Sequence, residues 1–78
     1  MNIKQGMLIS LTDNKEYIVI ATIILDNVSY AYLVENEKIE NIKFCIEEQE
    51  GEQIKLTEVD DLFLRQKLLM EFAKQFQQ

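Results

Sequence analysis

The sequence predicts an α+β domain: an antiparallel meander sheet of four or five strands, covered on one face by a C-terminal helix. Three observations carry this. Apolar residues recur with a spacing close to two from residue 7 to 56, the spacing turns helical from residue 59, and Asp-Asn and Gly punctuation falls between the runs. At 78 residues the chain is expected to form a single domain, with the sheet over about 7–57 and the helix over about 59–76.

Met7, Ile9 and Leu11 alternate with shorter or polar residues, and Thr12 to Glu16 is a turn. Tyr17 to Leu25 is almost wholly β-branched or apolar and too short for a typical buried helix, so it reads as a central strand. Asp26-Asn27 suits a two-residue primed turn, because both residue types tolerate positive φ. That turn pairs Leu25 with Val28, Ile23 with Tyr30, Ala21 with Tyr32 and Val19 with Val34, and sets Ile20 against Leu33 on the other face. Neither face of this hairpin is strongly polar, so both are expected to be covered.

Ile42, Phe44 and Ile46 alternate with Lys43, Cys45 and Glu47, which places Cys45 on the opposite face from Phe44. A three-residue loop at Gln49-Glu50-Gly51, with Gly51 left-handed, matches Ile46 with Ile54 and Phe44 with Leu56.

The helix has two candidate starts: an Asp60 N-cap stapled by Val59 and Leu64, or a Thr57/Asp60 capping box. At about 100° per residue, Leu62, Leu69, Ala73 and Phe76 share a stripe bordered by Val59, Phe63 and Met70, and this stripe is expected to cover the sheet. Leu64, Leu68 and Phe72 form a second apolar row about 120° away. One helix on one sheet leaves that row unused, which makes Leu64, Leu68 and Phe72, with Tyr30 and Tyr32 on the sheet, the expected interaction surface.

Composition narrows the chemistry. The chain has no His, no Pro and one Cys, so Cys-His dyads, Ser-His-Asp triads and the usual zinc sets are absent. No catalytic, cofactor-binding or metal-ligating residue is nominated, and Cys45 is expected to be a structural or surface thiol. A carboxylate-only or metal-assisted enzyme would look to Glu58, Asp60 and Asp61. No Gly-rich phosphate loop is present, and eight separated Lys and Arg disfavour direct nucleic-acid binding. The absence of a disulfide framework, of a signal-peptide pattern and of any apolar run of about 20 residues leads to the expectation of a cytoplasmic protein that does not enter membranes.

Charge is uneven within the total of −6. Residues 1–34 carry −1, residues 35–61 carry −7 and residues 62–78 carry +2. Glu47, Glu48, Glu50, Glu52, Asp60 and Asp61 make up an acidic patch, read first as a solubilising hairpin tip and second as a docking surface for a basic partner.

The order Leu11-Thr-Asp-Asn-Lys-Glu-Tyr17, Ala21-Thr-Ile-Ile-Leu-Asp26 and Tyr30-Ala-Tyr-Leu-Val34, followed by an acidic strand pair and a helix containing Glu71-Phe72-Ala73, resembles the YrzB-like family of small acidic bacterial proteins. The resemblance spans roughly residues 9 to 76 and rests on strand and turn patterns. It implies a cytosolic single-domain protein with no established activity and supplies no catalytic residues. The net basic, Leu- and Phe-rich helix departs from the family's acidic pattern.

These readings lead to a non-enzymatic protein–protein interaction module, its partner another protein or a second copy in a homo-oligomer. The alternative is an acidic phage or mobile-element regulator that sequesters a nucleic-acid-binding protein through residues 47 to 61.

Overall fold

The computed structural model describes residues 3–76. Five strands, β1 (Leu8–Ser10), β2 (Glu16–Leu25), β3 (Val28–Glu35), β4 (Lys38–Glu50) and β5 (Gln53–Glu58), precede one helix, α1 (Leu62–Phe76). The strands pair antiparallel in chain order, and the sheet curls into a half-barrel. This is the α+β meander with a packed C-terminal helix that the spacing predicts.

Local chemistry explains the β2–β3 connection. Asp26 and Asn27 have φ of 53° and 65°, the paired left-handed conformation of a type I′ turn, whose twist matches the flanking strands. Leu25 faces Val28, Ile23 faces Tyr30 and Ala21 faces Tyr32, as the turn requires. Beyond Ala21 the expected register ends. A β-bulge at Ile20 pairs Val19 with Leu33 and Ile18 with Val34, in place of Val19 with Val34 and Ile20 with Leu33.

That one extra residue turns Tyr17 and Val19 to the opposite face from Ala21. Tyr17, Val19, Ala31, Leu33 and Cys45 then form one buried cluster, joined by Ile9 and Leu11 from the β1 end and by Ile54 and Leu56 of β5. Ala21, Tyr30 and Phe44 form the second, beneath α1. Both faces are covered, one by the curl and one by the helix.

The β4–β5 hairpin corrects the expected loop. Gly51 is left-handed, with φ of 60°, but the turn has two residues, Gly51-Glu52, and Glu50 pairs with Gln53. Glu47 therefore faces Leu56, and Gln49 faces Ile54. The shift is an odd number of residues, so Ile54 and Leu56 lie on the Cys45 side and not with Phe44 and Ile46.

Candidate interaction surface

The start of α1 sets which side of the helix meets the sheet. The Val59 amide donates to the Phe44 carbonyl at 2.8 Å, and the Val59 side chain is buried. Asp61, not Asp60 or Thr57, is the N-cap: its Oδ1 accepts from the amides of Phe63 at 2.9 Å and Leu64 at 3.3 Å, while its carbonyl accepts from Arg65. The capping carboxylate also sits at the positive end of the helix dipole. With entry and cap fixed, the rotation of α1 follows.

This rotation reverses the assignment of the two apolar rows. Leu68 and Phe72 are fully buried in their own subunit and Leu64 is half-buried, all packed over the sheet. Tyr30 is buried and Tyr32 partly buried beneath them, so none of these five residues forms a free face. An aromatic cluster explains the preference. Phe72 stacks on Phe44 at 5.7 Å between centroids and meets Tyr32 edge-on at 5.4 Å, while Tyr32 and Phe44 lie 5.3 Å apart.

The stripe expected to cover the sheet points outward. Leu62 is 75% exposed, Phe63 87%, Leu69 53%, Met70 65% and Phe76 55%. Gln66 and Ala73, also exposed, complete a strip containing no charged side chain. Arg65, Lys67, Glu71 and Lys74 lie to either side of it. At one edge, a shallow groove of about 320 Å³ runs between helix and sheet, lined by Ile42, Phe44, Leu62, Arg65, Gln66 and Leu69. The Arg65 guanidinium covers its floor, 5.9 Å from the Phe44 ring centroid.

A second cluster, on the other sheet face, was not singled out by spacing. Lys43 Nζ lies 2.9 Å from Glu58 and 3.8 Å from Asp13, and the Tyr17 hydroxyl donates to Asp13 at 2.7 Å. Asn41 donates to Glu35 at 2.9 Å beside them. The hydrogen bond to Glu58 holds Lys43 above the usual lysine range, so it stays a cation. The Tyr17 hydrogen bond, with the Lys15 amide and Lys43 charge, holds Asp13 below the usual carboxylate range. Burial raises Tyr17. The charges satisfy one another and tie the 11–15 turn to β4 and β5. The available signal was Lys43 itself, a charge at an inward position of an apolar strand.

Cys45 is buried among apolar residues, and desolvation pushes its thiol up to about 11, the character of a packed, unreactive sulfur. Among the described residues no group of three or more Cys, Asp and Glu is arranged to hold a metal ion. Glu58, Asp60 and Asp61 do not converge: Glu58 binds Lys43, and Asp61 caps α1.

The acidic patch is divided. Glu48, Glu50 and Glu52 lie at the hairpin tip, with Glu48 opposite Lys55 and Glu50 3.9 Å from it. Glu47 turns inward, its carboxylate 3.5 Å from the Ile3 amide. Asp60 and Asp61 follow the far end of β5, whose six residues span roughly 20 Å.

Protein-family models, curated proteins and solved structures give no match to the chain. The class defined by its own residues is a half-barrel meander with one helix, whose outer helix face is apolar and uncharged. Among the described residues no helix is long and apolar enough to cross a membrane.

Proposed function

We propose that the protein is a non-enzymatic protein–protein interaction module that docks through the outward face of α1. The observation carrying this reading is the exposure of Leu62, Phe63, Leu69, Met70 and Phe76 on one ordered helix. Together these side chains leave roughly 650 Å² open to solvent, at or above the largest apolar patch of a typical monomer. In a chain with 28% charged residues, their absence from this strip also supports a face kept for contact.

A reducing, cytoplasmic setting belongs to the same reading and is supported by the single unpaired Cys45. The test is affinity capture from the native cell with the wild-type chain and a Leu69→Ser/Met70→Ser variant. Loss of the captured proteins with an unchanged melting temperature supports the proposal. Equal capture by both chains overturns it.

A further inference from the structure

We infer that the occupant of this face is a second copy of the chain, docked as an antiparallel, two-fold pair of α1 helices with Leu69 on the axis. The inference rests on the docking reading above and specifies its partner. Three observations favour self-pairing.

The first is area. Two such faces offer at most roughly 1,300 Å² in total, the low end of specific protein–protein interfaces, to which Ile42 and Gln66 in the adjoining groove can add. The second is symmetry of content. The strip runs from Leu62 to Phe76 with Leu69 at its midpoint, so a two-fold axis through Leu69 sets Leu62 against the partner's Phe76 and closes the assembly at two copies. Leu69 then meets its own copy, and Gln66, the one polar side chain of the strip, lies near the partner's Ala73.

The third is charge. Asp60 and Asp61 are exposed just before the first turn of α1, and Lys74 is exposed in its last. Antiparallel pairing brings each acidic pair toward the partner's last helical turn, where Lys74 is held by Glu71 of its own helix at 3.2 Å, and aligns the helix dipoles favourably. Parallel pairing would oppose Asp60 and Asp61 to their own copies.

The experiment uses the full chain. Sedimentation equilibrium over roughly 5 to 500 µM, where interfaces of this size associate, is expected to show mass rising from 9.2 kDa toward twice that value. Leu69→Asp is expected to weaken association at least about 30-fold. Its circular dichroism and melting temperature in dilute solution should match the wild type, because Leu69 is not a core residue.

Orientation is read by mild oxidation. Leu69→Cys should link two copies. Leu62→Cys should not, because antiparallel pairing holds the two residues 62 about 21 Å apart along the axis, beyond disulfide reach. The wild-type chain, with Cys45 buried, is the control. Ready linking through Leu62→Cys overturns the antiparallel arrangement.

A chain that stays monomeric at the highest concentration overturns self-pairing. If the same monomer captures another protein, or binds anionic phosphatidylserine vesicles, through a face abolished by Leu69→Asp, the docking surface stands with a different occupant. If Leu69→Asp changes neither mass nor capture, the docking reading fails as well.

Discussion

The Phe72 ring lies nearly parallel to that of Phe44, 13° between planes and 5.7 Å between centroids, joining the C-terminal half of α1 to β4. Phe72 and Leu68 are one turn apart and both fully enclosed, so the helix is anchored through this row. Its opposite face is energetically free to serve another purpose.

Phe72→Ala and Leu68→Ala should each destabilise the fold by about 2 to 5 kcal/mol, through lost transfer energy and the cavity left behind. Leu69→Ala should cost under about 0.5 kcal/mol in dilute solution. Urea unfolding of the three variants checks the contrast, and similar midpoints for all three would contradict the assignment of the faces.

The Asp13 carboxylate is held below its ordinary value of 3.8, chiefly by the Tyr17 hydroxyl. A depressed carboxylate contributes stability that is present above the ordinary value and lost as pH falls through the folded one. Asp13→Asn should therefore lower the melting temperature near neutral pH, and its difference from wild type should shrink on acidification toward about pH 2. Lys43, held above 10.5, has the opposite sign: its contribution is intact below that value and is lost as pH rises through the folded one. A difference for Asp13→Asn that stays constant across the acid range would count against the cluster.

Asn27, at φ of 65°, occupies a conformation that β-branched residues resist. Asn27→Val should cost about 1 to 2 kcal/mol, whereas Asn27→Gly should be neutral or slightly stabilising. Thermal melts distinguish these outcomes, and a neutral Asn27→Val would show that the turn is not of the primed type in solution.

Cys45 should resist alkylation in the folded protein. With its thiol pushed up to about 11 by burial, the thiolate at pH 8 is scarcer than in the unfolded chain, whose ordinary value is 9.0. Modification by iodoacetamide should be slower in the native state by at least roughly 100-fold, and urea should restore the rate. Rapid native-state labelling would mean that the sulfur is not enclosed.

Much of the fold was legible because it depends on short-range chemistry. The period-two pattern, the left-handed pair Asp26-Asn27 and the breaker-free run after Asp61 set strands, turn and helix through forces acting over a few residues. The candidate site was legible only as an excess: the helix carries more apolar circumference than one sheet can cover. Which row would be left over was misassigned, since Leu64, Leu68 and Phe72 are as apolar as their competitors.

By itself, then, the sequence determined a meander of four or five strands followed by a doubly apolar helix, because backbone preference and hydrophobic period are local properties. Tertiary structure alone decided the Ile20 bulge, the Gly51-Glu52 turn and the inward row of α1. Each of these is a choice between arrangements nearly equal in local energy. They are settled where distant residues meet: Val19 against Leu33, Leu56 near Cys45, and Phe72 on Phe44 after Val59 and Asp61 have fixed the angle at which the helix begins.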